Sequence, residues 1–172
     1  MNLLAIDSAA SVLSVAAAAG ENICCFQTEA GVKHSEIVMD CIDAQMKKAG
    51  LEPQSLNGIL CMGGPGSFTG LRIGFSVAKG LALALGIPFA YFPTLDCMAM
   101  PHSGFSGLVI PVIAASKNAF FCAPYRGCIR CGPDTKTNAG QIAAVIAGHK
   151  NSKTEKTLLS GSGVEASYAI LP

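Results

Sequence analysis

Apolar positions along the chain change their spacing several times, and each change marks an element. Residues 2–6 form an apolar run that stops at Asp7 and Ser8. Residues 11–18 are small and β-branched, Gly20 and Glu21 interrupt, and residues 22–28 resume with Ile23, Cys24, Cys25 and Phe26. Short apolar runs parted by turn residues predict three strands joined by hairpins. Residues 34–49 switch to the helix period, with Ile37, Val38, Cys41, Ile42, Ala44 and Met46 as the apolar stripe. Ser35 is the expected N-cap, Glu36 and Asp40 sit toward the positive end, Lys47 and Lys48 toward the negative end, and Gly50 stops the helix. A buried strand at 57–62, a glycine-rich loop at 63–70, a helix at 71–85 and a strand at 87–92 follow. This strand–helix–strand alternation predicts parallel strands with right-handed crossovers, hence an α/β fold. A short helix is expected from Thr94 to Met100.

The pattern changes near 102–107, which places a domain boundary at 104 and divides the chain into 1–104 and 105–172. Strands are expected at 108–113, 119–123 and 157–160, and a helix at 137–147. This second unit is short enough to read as an incomplete domain with a sheet face left uncovered.

Composition narrows the class. The 172 residues are 51% hydrophobic and 13% charged, which excludes a disordered chain. Twelve Lys and Arg against eleven Asp and Glu leave a net charge of +1, too little for a general nucleic-acid footprint. So sparse a charge on so apolar a chain implies large buried faces or a sticky one, with two readings open: surface reserved for a partner, or a poorly soluble or incomplete chain. The start, MNLLAIDSAAS, lacks a basic n-region, and the longest apolar stretch, 73–92, contains Lys79 and Pro88. With eight cysteines scattered through apolar runs, the expected setting is a reducing cytoplasm, without a membrane.

Candidate chemistry centres on residues 63–74, GGPGSFTGLRIG. The loop has neither the Gly-Lys-Ser/Thr of a Walker A motif nor a dinucleotide fingerprint. Three readings are open. Asp7, Ser8, Gly64, Gly66, Ser67 and Thr69 could contact a nucleotide or anion at the helix N-terminus. The loop could be a tight crossover packing the helix on its sheet. Gly70, Gly74, Ser76, Ala78, Gly80, Ala82 and Ala84 could form a close-packing face between helices. Asp7 could orient water or phosphate, or simply accept turn N–H groups. Cys128-x-x-Cys131 has the spacing of half a zinc site, yet no second pair follows; incidental cysteines are the preferred reading. Arg126, Arg130, Lys136 and Lys117 could touch RNA or belong to a solvated loop.

Three blocks carry a resemblance. GGPGSFTGLRIGFSVAKGLALALGIP at 63–88, LLAIDSAASVLSVAA at 3–17 and His34-Ser35-Glu36 resemble the bacterial TsaB family in sequence and spacing. Residues 108–113 and 118–125 resemble the opening strands of its second domain. The resemblance implies an actin-like, ribonuclease-H-like fold: a mixed sheet with flanking helices in an N-terminal domain, then a second domain that ends early at Pro172. It implies a non-catalytic subunit in threonylcarbamoyl transfer to N6 of adenosine 37 of tRNAs. The partners it implies are a second copy, the catalytic paralogue TsaD, the ATPase TsaE, and tRNA through the complex. No cofactor is expected for this subunit, while ATP or ADP and a divalent metal belong to the assembled complex. The expected partner interface is His34, Val38, Cys41, Ile42, Arg72, Phe75, Ala78 and Lys79, and Gly74→Leu or Ala78→Arg is expected to weaken association more than folding. Catalytic relatives carry two metal-binding histidines four apart on a helix, but here Val38 follows His34 at that spacing, so no catalytic or metal residue is expected. An Asp-Ala-Arg type segment of the family is Ala114-Ala115-Ser116-Lys117 here. The rival functions are an actin-like nucleotide-binding or hydrolysing enzyme and a zinc-binding RNA module.

Overall fold

A computed structural model describes all residues except 30, 32, 117 and 166–172. The chain divides into two compact units, Met1–Phe92 and Pro93–Pro172. The division falls before 104 because the short helix at 94–99 packs with the strands that follow it.

In the first unit β1 (Asn2–Asp7), β2 (Val12–Ala19) and β3 (Asn22–Glu29) form an antiparallel meander. Helix α1 (His34–Ala49) leads to β4 (Gly58–Met62), and helix α2 (Phe68–Leu85) leads to β5 (Phe89–Phe92). The strands order as β3-β2-β1-β4-β5, with β4 parallel to both β1 and β5. Alternation assigns the faces. Leu4 and Ile6, Leu13, Val15 and Ala17, and Ile59 and Cys61 point to one side, where Val38, Ile42 and Met46 of α1 and Ala78 and Ala82 of α2 complete the core. Helix α1 starts two residues earlier than the Ser35 cap implies. The Lys33 carbonyl already accepts from the Glu36 N–H at 3.0 Å, and His34 turns inward. Gly50 and Gly86 end the two helices at φ 69° and 65°, a conformation that favours glycine.

In the second unit α3 (Thr94–Ala99) precedes a long strand, β6 (Leu108–Ser116). Strands β7 (Ala119–Cys122), β8 (Tyr125–Arg126), β9 (Ile129–Arg130) and β10 (Thr135–Thr137) follow, then α4 (Ala139–His149) and β11 (Thr157–Ser160). The order is β10-β7-β6-β8-β9, with β11 parallel to β6. Strand β6 is an unbroken apolar run because both its faces are buried. Leu108, Ile110 and Val112 meet Ala139 and Ile142 of α4. Val109 and Ile113 meet Leu95, Ala99 and Tyr125. Residues 108–113 of this central strand are therefore covered on both sides, while Ala114, Ala115 and Ser116 at its end are exposed. Residue Lys117, expected to replace a family arginine, lies outside the described residues.

Candidate functional site

The turn after β1 and the glycine loop before α2 are built against each other. Ser8 Oγ donates to the Gly70 carbonyl at 2.8 Å, and the Ser67 N–H donates to the Ala9 carbonyl at 2.7 Å. Ser67 caps α2, its Oγ accepting from the Gly70 N–H at 3.2 Å. A Cβ at Gly66 would overlap the Ala9 carbonyl, and one at Gly70 the Ser8 carbonyl. These glycines exist so that one stretch of backbone can lie on another. The loop is thus a crossover seam. On the Cβ side of Gly66 and Gly70 the backbone of Ser8 and Ala9 leaves no room for a ligand. Gly64 has φ 95° and opens the loop, and Thr69 lies exposed in the first turn of α2.

Asp7 ends β1, and its Oδ1 accepts from the Ala9 N–H at 2.9 Å. Burial raises its carboxyl above the usual range, while the Ala9 N–H and the charge of His34 pull it back down. His34 is buried at the start of α1, and its Nε2 has no hydrogen-bond partner among the described residues. Burial and the nearby Asp7 charge push the Cys61 thiol up to about 11.

Helix α2 lays Gly70, Gly74, Ala78 and Ala82 on the sheet, one every fourth residue. This overturns the expected effect of substituting the small residues. A side chain at Gly74 would strike Ser8 Oγ, and Ala78 is fully buried in the core. Gly74→Leu and Ala78→Arg therefore damage the fold itself. Of the expected interface residues, His34, Val38, Ile42 and Ala78 are buried and Cys41 and Phe75 half-buried. Phe75 turns to β5, its ring 5.7 Å from Phe89 and 5.9 Å from Tyr91. Arg72 and Lys79 are exposed, with the Arg72 guanidinium 5.4 Å from the Phe68 ring centre.

The outward face carries residues that the sequence reading missed. Phe68 is 73% exposed, Leu83 85% and Met39 49%. Met39, Phe68, Arg72, Ile73 and Val77 line a groove of about 450 Å³ between α1 and α2. The missed signal was the four-residue spacing of the small residues, which marks the packed side of α2 and leaves Phe68, Arg72 and Leu83 outside. By length and composition α2 is apolar enough to cross a membrane. It is, however, the crossover between two paired strands, and its buried stripe is already used on the sheet.

The remaining candidates are dispersed. Among the described residues no three His, Cys, Asp or Glu side chains converge to hold a metal, and Cys128 and Cys131 are free and exposed. Arg126 bonds both Glu155 oxygens at 3.0 Å and the His149 carbonyl at 2.7 Å. Arg130 pairs with Asp96 and Asp134 and lies over the Tyr125 ring. Lys136 sits over Phe121. Both guanidinium groups are thus held by carboxylates of their own unit. His102 hydrogen-bonds Ser160 Oγ and His149 the Val145 carbonyl, both within the second unit.

The family model "TsaD: tRNA N6-adenosine threonylcarbamoyltransferase" matches residues 27–165. The "tRNA threonylcarbamoyladenosine biosynthesis protein TsaB" of Bacillus subtilis (strain 168) is 31% identical over 127 residues, which is 73% of this chain and 56% of that protein. Its namesake in Escherichia coli (strain K12) is 32% identical over 99 residues, 58% of this chain and 43% of that protein. The chain spans about half the length of these relatives. The structure of "YeaZ from Pseudomonas aeruginosa" matches with a TM-score of 0.83 at 20% identity, covering 99% of this chain and 80% of that one. The fold is therefore the expected mixed α/β, actin-like architecture.

Proposed function

The chain belongs to the TsaD family as a homologue of its TsaB members, and on that premise we propose that it is the non-catalytic partner of a TsaD-type threonylcarbamoyltransferase. The pairing surface in this proposal is the outward face of α1 and α2. The observation that carries it is the groove bordered by Met39 and Phe68, with Leu83 exposed further along α2. Apolar area of this kind is stabilised by burial at about 25 cal/mol per Å², before the ordering costs of association.

The chemistry, transfer of a threonylcarbamoyl group to N6 of adenosine 37 of tRNA, is assigned to the catalytic partner. Any ATP, ADP or divalent metal, the ATPase TsaE and tRNA accordingly enter with the assembled complex. A second copy competes for the same face. An isologous contact needs a self-complementary patch. The first half of α1 exposes Glu36 and Asp40, Asp43 being held by Lys47 at 2.6 Å, while α2 exposes Arg72 and Lys79, so the first half of α1 in one copy is matched to α2 of another.

Co-purification with the TsaD-type paralogue, followed by a tRNA modification assay, tests the reading. The double variant Phe68→Asp, Leu83→Asp is expected to lose co-purification and support of modification while keeping its melting temperature. Undiminished assembly by that variant, or modification at full rate with the chain left out, would overturn the proposal.

A further inference from the structure

The face of the first sheet opposite its core holds a second cavity, of about 330 Å³. Strand register defines its surface. Ala5 pairs with Ala16 and with Leu60, and Ala16 with Cys25, so the middle of this face is a low floor of two alanines between larger side chains. One step along the strands the row changes character. Gln27 pairs with Ser14 and Ser14 with Asp7, which sets an amide, a hydroxyl and a carboxylate side by side on three neighbouring strands. Directly opposite residues on adjacent strands lie about 5 Å apart, so the three polar groups converge on one end of the cavity. Met62 and Phe92 continue that row as an apolar wall.

Three features separate this cavity from a bare sheet face. Its polar end lies at the carboxyl ends of the parallel strands β1, β4 and β5, where open α/β sheets hold their ligands. Its carboxylate is only half used. Asp7 Oδ1 serves the turn, and Oδ2 accepts no hydrogen bond among the described residues. Its lining is apolar with a few convergent polar groups, at the small end of the range of about 300–1,000 Å³ typical of small-molecule sites.

We propose that this cavity binds a small organic cation, a flat apolar body lying on Ala5 and Ala16 with an amine or amidine head donating to Asp7, Ser14 and Gln27. The sign follows from the carboxylate: with the Ala9 N–H on one oxygen and the charge of His34 nearby, the cavity still offers an acceptor to a cation and repulsion to an anion. Burial holds the Asp7 carboxyl above its usual range even with the Ala9 N–H and the charge of His34 pulling it down, so a further cation at its free oxygen has a charge left to stabilise. The site is separate from the α1–α2 face and stands or falls independently of the proposed pairing.

Calorimetric titration of the full chain tests this with benzamidine and 2-phenylethylamine as probes, and with benzoate and benzyl alcohol as matched anionic and neutral controls. The two cations are expected to bind at least about tenfold more tightly than either control. Asp7→Asn is expected to weaken them by about tenfold or more and to erase the preference for charge. Ala16→Leu fills the floor without changing charge and is expected to abolish binding. Binding is also expected to weaken as acid protonates Asp7, the other titratable groups beside it being His34 on α1 and Cys61 on β4. Far-UV circular dichroism shows that each variant is folded, and should Asp7→Asn fail to fold, Ala16→Leu and the pH titration decide the matter. Equal binding of cations and controls, binding that survives Ala16→Leu, or no heat from either cation up to about 10 mM would overturn the proposal.

Discussion

At the scale of single residues the seam between Ser8–Ala9 and the glycine loop is the most sharply determined part of the first unit. The atoms that a Cβ would meet at Gly66 and Gly70 are carbonyl groups of main chain, which cannot rotate aside. Gly70→Ala is therefore expected to destabilise the protein by about 2 kcal/mol or more, measured by denaturant unfolding. Asp7 makes a prediction with the opposite sign. Its carboxyl is raised by burial above the value of 3.8. The folded state therefore holds a proton that the unfolded state has already released. Stability falls as pH rises through that interval, and the penalty is complete above it. Asp7→Asn removes the charge and can keep the turn bond from Ala9. Its melting temperature is expected to exceed that of the parent at neutral pH and to match it in acid below the ordinary carboxylate range. Cysteine reactivity gives a third test. Cys61 and Cys122 are buried with thiols pushed up to about 11, whereas Cys25, Cys128 and Cys131 are exposed. Brief alkylation of the native protein near neutral pH, read by mass spectrometry, is expected to label the exposed three and spare the buried two.

At the scale of elements, legibility followed length and period. The three opening strands, α1, β4, α2 and β5 are plain in the sequence because apolar spacing changes at each. Strands β8, β9 and β10 are two or three residues long and carry no periodic signal, so pairing alone defines them. The start of α4 was misplaced for a similar local reason. Asn138 accepts from the Gln141 N–H while the Gln141 side chain returns to the Asn138 N–H, a capping box that fixes the first turn. Asn138→Ala is expected to cost about 1 kcal/mol, detectable as a lower melting temperature. Helix α2 holds the sharpest lesson about the site. Its small residues were legible as a close-packing face, but a sequence alone does not say against what they pack. The structure gives that face to the sheet, so Phe68, Arg72 and Leu83 become the outward side. The glycine loop was equally open between ligand and crossover until the positions of the Ser8 and Ala9 carbonyls were known.

At the scale of the whole molecule, each unit has its own hydrophobic core. The sparse charge read from composition is explained in part by the apolar face of α1 and α2. If that face pairs copies of the chain, thermal stability must depend on protein concentration, since anything that binds only the folded state stabilises it by mass action. The melting temperature of the parent is expected to rise with concentration, and that of the Phe68→Asp, Leu83→Asp variant to stay constant. Sedimentation of the two across the same range checks the cause.

The interlocked turn and loop also have a kinetic consequence. The bonds of Ser8 to Gly70 and of Ala9 to Ser67 pin the first turn of α2 to the turn after β1, and the small residues along the helix seat it closely on the strands. Its exposed side chains are presented on a rigid template before any encounter takes place. A binder meets a surface that needs little ordering, and affinity differences among variants of that surface will be expressed as residence times rather than as rates of capture.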